Sequence, residues 1–414
     1  MERETKMTQK IRKIGIGFIT GRKSFRDVLA TYLNSWGGAL AVGGCIDLSL
    51  FVAYDLAYNN TSRSDYTNIN IELREMLSDI HFIDRNSLQI EMKSLVEKGT
   101  LTEQEASLFF ERGYAGKRNA IMYTAVKQGI DVMLFLDDDE YPLSVQKQDG
   151  IEQWTGQQVL DTHLKHIDDA YITNGYHCGY ISSIPNIDFN DVLAEQDFRK
   201  FIGAISNDVI NWESIQTLMK SGNISYADPA CLNGKATQVP QVNGSKFITG
   251  SNLCINLKQP MEVSPFYNPP DARGEDTFLA TCLTDKRVLR VPTYTFHDGF
   301  SLYTSLLLGV LPQRLKHVSG NTKKIANRFY NTCIGWIRYK PLLLYITQRE
   351  NYHDQIAQIR VNLNETLPKL SEYFKNPKFM KIADELNKYD KNVELHHKAM
   401  IQIQGIWIKL VRDL

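Results

Sequence analysis

No apolar run in this chain approaches the roughly 20 residues that a bilayer-spanning helix needs, so no transmembrane segment is expected. Neither charge sign dominates: 47 Lys and Arg balance 47 Asp and Glu. The chain therefore lacks the global field that favours nucleic acid, and no nucleic-acid partner is expected. Cysteine is sparse and scattered. Cys45, Cys178, Cys231, Cys254, Cys282 and Cys333 form no CxxC pair and stand at no metal-ligand spacing from a histidine. They are expected as small buried hydrophobes in a reducing compartment. Met1–Lys13 is charged and lacks the apolar stretch and cleavage site of a secretory signal. The expected location is the cytoplasm, free or peripheral to the inner face of the membrane.

A chain of 414 residues suits one large domain with an appendage, or two domains. Strand-like apolar runs alternate with helical patterns through its first half, the signature of βαβ units and a largely parallel sheet. Strands are expected at Ile14–Thr20, Leu48–Tyr54, His81–Ile83, Val132–Leu136, within Ala170–Ile184, at Phe247–Leu257 and at Val288–Thr295. Helices are expected at Phe25–Trp36, as one or two over Glu103–Gln128, and at Asp276–Thr284. The Gly-, Asn- and Pro-rich stretch Tyr226–Ser245 has little periodicity and reads as a mobile loop. Beyond about Ser301 strand signals become rare, so a domain boundary is placed near residue 300, between a 1–300 catalytic part and a helical 301–414 region. The aromatic and basic segment Trp336–Pro341 suits two placements, a membrane surface or a helix packed on the rest of the protein, and the second is favoured.

The most informative segment is Val132–Glu140, a buried-type strand that delivers Asp137, Asp138, Asp139 and Glu140 at its C-terminal end. In an open α/β sheet that end is where ligands bind. Four adjacent carboxylates repel one another and stay ionised only in water or beside a cation. A hard divalent ion, Mg²⁺ or Mn²⁺, takes one or two protein carboxylates while substrate phosphates complete its shell. The plain alternative is a solvated acidic turn after a strand.

The order of motifs resembles the GT-A glycosyltransferases, most closely the inverting enzymes of family 2. Asp137 and Asp139 match that family's Asp-x-Asp motif, which implies Asp139 as a metal ligand and Asp137 near the donor ribose, with Asp138 between them. Gly116–Ala120 is similar to the basic helix that precedes the acidic strand, with Arg118 near the diphosphate. Thr20 and Arg22 end the matching first strand, where the family's usual Pro-x-Tyr-Asn is absent. Asp55 corresponds to the base-binding aspartate, whose carboxylate accepts N–H groups of uracil or guanine. Gly250 and Asn252, in Thr249–Asn252, resemble the Gly-Gly-Asn segment lining the donor sugar. Arg273-Gly274-Glu275-Asp276 is similar to the Glu-Asp motif at a helix start, which implies Asp276 as general base with Glu275 beside it and Arg273 on the donor. Alone, that motif reads as acids in the first turn of a helix. His297, closing the last strand, would be a metal or diphosphate ligand and mildly favours manganese.

The resemblance implies a metal-dependent transfer from a nucleotide-diphosphate sugar, UDP- or GDP-linked, to a hydroxyl of a glycan, lipid-linked or protein acceptor, with inversion. A retaining GT-A enzyme shares the acidic motif. A metal-dependent phosphatase expects Asp-x-Asp-x-Thr/Val, where Tyr141 stands here. A sugar nucleotidyltransferase expects a Gly-rich N-terminal loop that is not matched. A non-catalytic binding protein of the same fold conflicts with intact acids at both motifs. The apolar stripe of the last helix, Ile401, Ile403, Ile406, Trp407 and Leu410, needs a partner surface, in the catalytic part or in a second copy.

Overall fold

The computed structural model describes residues 11–43, 46–111, 113–206, 211–220, 222–316 and 322–414. The expectations for residues 1–10 and for Cys45 lie outside the described residues. The other five cysteines are free, Cys178, Cys254 and Cys333 buried and Cys231 and Cys282 half-buried.

The strands of the main sheet are β1 (Arg12–Thr20), β2 (Ile46–Tyr54), β3 (Asp79–Ile83), β4 (Val132–Asp137), β5 (Glu140–Tyr141), β6 (Ile172–Cys178), β7 (Leu253–Asn256) and β8 (Val288–His297), in the order β3-β2-β1-β4-β7-β6-β8-β5. Neighbours run parallel, except that β7 is antiparallel to β4 and β6, and β5 to β8. Buried on both faces, β4 is a continuous apolar run that ends only at Asp137. From β1 the chain builds outward through β2 to β3, then crosses back to add β4 on the other side of β1. That reversal opens a crevice outside the carboxyl ends of β1, β2 and β4.

Helices flank both faces. Phe18, Leu29, Trp36, Tyr66, Leu134 and Phe296 belong to the core on one side, where helix α1 (Phe25–Gly43) packs. The stretch expected as one or two helices is two, α2 (Glu103–Phe110) and α3 (Gly113–Lys127); Thr102 and Glu105 form a capping box that starts α2. Helix α4 (Glu275–Thr281) follows β7. The C-terminal region is helical: α5 (Lys323–Thr347), α6 (Tyr352–Tyr373), α7 (Lys381–Lys391) and α8 (Val393–Asp413). Its buried Phe329, Ile337, Leu363 and Trp407 share one continuous core with Phe51, Phe135, Leu253 and Phe278 of the α/β part. This mixed, mostly parallel sheet flanked by helices, with a helical C-terminal region, is the α/β architecture that the motif order implied.

Trp336–Pro341 lies inside α5, with Ile337, Tyr339 and Lys340 buried, the packed placement that the sequence favoured. Several other local expectations are corrected. Ile403, Ile406, Trp407 and Leu410 are buried, but Ile401 is exposed. Within Tyr226–Ser245 a short helix (Pro229–Leu232) and a two-residue strand pairing with β8 give fixed structure to the expected loop. Only Leu253–Asn256 of the expected Phe247–Leu257 strand is extended.

Candidate active site

A cleft of ≈ 360 Å³ opens at the crevice. Its walls bring together Thr20, Arg22, Asp55, Arg118, Asp137, Asp138, Asp139, Arg273, Glu275, Asp276 and His297, residues spread over more than half of the chain. Strand ends deliver Thr20, Asp137 and His297, the turns after β1, β2 and β4 deliver Arg22, Asp55, Asp138 and Asp139, the second turn of α3 delivers Arg118, and the start of α4 delivers Glu275 and Asp276.

The acids are compensated from within the protein. Arg22 bridges two of them, Nε at 3.3 Å from Asp138 Oδ1 and Nη2 at 2.8 Å from Asp139 Oδ2. Thr20 Oγ1 donates to Asp138 Oδ2 at 2.6 Å. His297 Nε2 lies 3.5 Å from Asp139 Oδ2. Burial by itself pushes the Asp139 carboxyl up, but the hydrogen bond and charge of His297, with Arg22, hold it at about 2. Conversely, burial disfavours a charged imidazole, yet Asp139, Glu140 and Asp137 together raise His297 above its ordinary value. Asp137 sits deep at the cleft floor yet opens onto it, its side chain 40 % exposed. Burial and the charge of Glu140 raise its carboxyl well above the usual range, against the pull of Arg118.

Glu140, the fourth acid of the run, turns away from the cleft. It accepts hydrogen bonds from Ser251 Oγ and Thr295 Oγ1, each at 2.7 Å, and pairs with His177 Nδ1 at 3.0 Å. Charge repulsion therefore does not by itself demand a metal, contrary to the argument from four adjacent acids. Among the described residues no group of three or more His, Cys, Asp or Glu side chains is arranged to hold one. Two ligands suffice where phosphate oxygens complete the shell. Asp139 Oδ2 and His297 Nε2 are spaced close to the ~3 Å edge of an octahedron with ligands at about 2.1 Å. His297 Nδ1 is buried with no hydrogen-bond partner.

The opposite wall is basic. The Arg118 guanidinium is buried, stacked 5.0 Å from the Phe135 ring and 5.3 Å from Phe266, with Nε 3.4 Å from Glu275 Oε1 and Nη2 3.9 Å from Asp137 Oδ1. Gly250 is not a lining residue but makes this placement possible. A Cβ there would lie 2.8 Å from Arg118 Nη2 and 3.6 Å from Asp276 Oδ2, so a larger residue would push the guanidinium out of this position. Asp276 is half-buried, and its Oδ1 accepts the Thr277 N–H at 2.9 Å. Asn252 is placed elsewhere. It is fully buried behind the cleft, donating to the carbonyls of Tyr176 and Thr293 and accepting from His163 Nε2 at 2.8 Å.

At the far end, Asp55 pairs with Lys117 Nζ at 2.9 Å and accepts the Ala57 N–H at 3.0 Å. Lys117, Tyr58 and Tyr114 line the cleft beside it and were missed. Lys117 belonged to the basic motif, but no periodicity marks the two tyrosines. Arg328, from α5, does not line the cleft; burial lowers its pKa, and the charges of Arg273 and Asp139 act on it.

No family model matches the chain, and no curated protein matches it. Among solved structures it is similar to the crystal structure of S. aureus TarS 1-349, with a TM-score of 0.37 and 10% identity over 97% of this chain and 90% of that one. The functional reading rests on the geometry of the cleft.

Proposed function

We propose that the protein is a glycosyltransferase that moves a sugar from a nucleotide-diphosphate donor to a hydroxyl acceptor with inversion, in the manner of GT-A family 2 enzymes. The observation that carries the reading is the convergence of Asp137, Asp139, His297, Arg22, Arg118 and Asp276 on one cleft at the carboxyl ends of parallel strands. Asp55, Tyr58, Tyr114 and Lys117 form the nucleoside end, with aromatic faces to stack on a base and a carboxylate to accept its N–H. Arg22, Arg118 and Arg273 flank the diphosphate and stabilise charge on the leaving group as the bond from the anomeric carbon to phosphate oxygen breaks. Asp139 and His297 would hold a divalent ion, Mn²⁺ or Mg²⁺, which when bound supplies Lewis-acid stabilisation of the same phosphates.

Glu275 is engaged by Arg118, and Asp276, which lines the cleft beside it at the base position of the Glu-Asp resemblance, is assigned as the carboxylate for the acceptor. It takes the hydroxyl proton as the oxygen attacks the anomeric carbon opposite the departing phosphate. The test is a screen of UDP- and GDP-sugars with Mn²⁺, with Mg²⁺ and with chelator, read by thermal shift and by release of nucleoside diphosphate. A protein that neither binds nor hydrolyses any of them overturns the proposal. Product NMR then decides the stereochemistry: retention at the anomeric carbon would remove the base role of Asp276 while leaving the donor site intact.

A further inference from the structure

The segment that follows the cleft differs in chemistry from the rest of the chain. Between Asp298 and Glu350 there is no acid, while Arg314, Lys316, Lys323, Lys324, Arg328, Arg338, Lys340 and Arg349 are all basic, in a chain whose totals balance. At its start, the turn Thr304–Leu308 and the residues after it present Leu308, Val310 and Leu311 to solvent at 83, 57 and 48 % exposure. Gly309 makes the tip with φ +73°.

This exposure is built rather than slack. The Asp298 carboxylate accepts the N–H groups of Leu302 and Tyr303 at 2.8 Å, and Lys316 N–H donates to the Tyr303 hydroxyl at 2.6 Å. Trp154 Nε1 donates to the Pro312 carbonyl at 3.0 Å, and Leu306 and Leu315 are buried beneath the loop. The tip is thus held outward by a pinned base. Arg314 and Lys316 are exposed on its rim. The Arg328 guanidinium lies 3.4 Å over the ring of Phe300 at the loop root, which brings the start of α5, with exposed Lys323 and Lys324, to the same side.

Adjacent exposed aliphatic side chains flanked by cations, with the nearby acids Asp298 and Glu152 spent on backbone N–H groups of the loop base, suit a surface that is apolar inside and anionic outside. A bilayer with anionic headgroups has that profile. We propose that the Leu308–Leu311 loop inserts into the headgroup–acyl boundary of an anionic bilayer, with Arg314, Lys316, Lys323 and Lys324 pairing with lipid phosphates. Leu308 is eleven residues from His297, which lines the cleft, so this contact would hold the catalytic part at the membrane surface. The inference does not depend on the reaction proposed above.

The test is flotation of the full chain with phosphatidylcholine vesicles, with and without phosphatidylglycerol, at low and high salt. The protein should float with the anionic vesicles and be released by salt. R314E/K316E should weaken binding at least tenfold, since each basic residue near such a surface contributes about fivefold. L308S/V310S/L311S should lose binding to a similar extent or more, with melting temperatures of both variants close to wild type. Absence of vesicle binding by the wild type, or undiminished binding by both variants, overturns the proposal. A wild-type dimer in light scattering that the triple serine variant dissolves, without vesicle binding, would reassign the loop to a second copy of the chain.

Discussion

Asp276→Asn separates a transferase base from a carboxylate that merely sits in the first turn of a helix, and the structure sets the size of each effect. Asp276 Oδ1 accepts the Thr277 N–H at 2.9 Å, a bond that the amide oxygen of asparagine retains. Stability loses at least the charge in the first turn of α4, about 0.3–1 kcal/mol from the helix dipole. What is lost to catalysis is proton acceptance, which contributes roughly two to four orders of magnitude. The neighbouring acid serves as an internal control. Glu275 Oε1 lies 3.4 Å from Arg118 Nε, in a pair only 5 and 13 % exposed, so Glu275→Gln loosens the guanidinium that faces the diphosphate. Asp276→Asn should therefore lower turnover a hundredfold or more with donor affinity near wild type, whereas Glu275→Gln should weaken donor binding itself. The assay pairs calorimetric donor affinity with transfer rate on each mutant. If Asp276→Asn leaves the rate unchanged, Asp276 is structural. If donor affinity collapses along with the rate, it acts on the donor or on a metal, and the inverting mechanism loses its base.

Further outcomes follow from other contacts. Arg22→Met leaves Asp138 and Asp139 without their bridging cation and should cost about 1–3 kcal/mol, discounted from the 3–5 kcal/mol of a fully buried pair because Arg22 is 29 % exposed. In thermal shift, Mn²⁺ should restore part of that loss if Asp139 is its ligand, and no recovery would refute that seat. Gly250→Val pushes a side chain against Arg118 Nη2, so donor affinity by calorimetry should fall while circular dichroism is unchanged. His163 is fully buried, and burial lowers its pKa to about 4 from 6.5, so the folded state favours the neutral ring and the unfolded state binds the extra proton. Its contribution is complete above pH 6.5 and is lost as pH falls towards 4; at pH 4.5 roughly 2–3 kcal/mol should be gone. Urea titrations of wild type against His163→Gln isolate it, and equal pH slopes would refute it. Trp407 is buried, stacked on Phe109 at 6.2 Å and bonded through Nε1 to the Pro260 carbonyl at 2.8 Å, so Trp407→Ala should cost about 3–5 kcal/mol in denaturant unfolding.

Much of the sheet was legible because a strand buried on both faces has to be apolar along its length. Val132–Leu136 announces itself in this way, and the acids after it mark its open end. Helix α5 was less legible. Pro341 sits inside it, and Trp336–Pro341 mixes aromatic with basic residues, so its buried face shows only once Tyr339 packs 6.3 Å from Phe278 and Arg338 pairs with Glu385 at 2.8 Å. Asn252 misled for a related reason. Its match to a segment lining the donor sugar placed it in the cleft, but it is fully buried at φ +48°, with its amide spent on buried carbonyls and on His163.

Charge pairing is where local reading stops. Four consecutive acids look like one anionic patch, yet the fold divides them by contacts that no spacing announces. Arg22 is more than a hundred residues from Asp138 and Asp139, and the groups that take Glu140 out of the cleft come from β6, β8 and the Thr249–Ser251 bend. What remains in the cleft is Asp137 at its floor and a pair of carboxylates already bridged by an arginine, beside an imidazole with one unsatisfied nitrogen. A divalent ion there has to compete with Arg22 for Asp139, whereas a diphosphate arriving with the ion offers Arg22 a new anionic partner. Metal and donor binding should then be mutually strengthening: displacing the guanidinium is costly for the ion alone and is offset when phosphate oxygens accept it. Calorimetry of Mn²⁺ with and without nucleoside diphosphate measures that coupling. Equal Mn²⁺ affinities in the two titrations would show that Arg22 does not guard the seat.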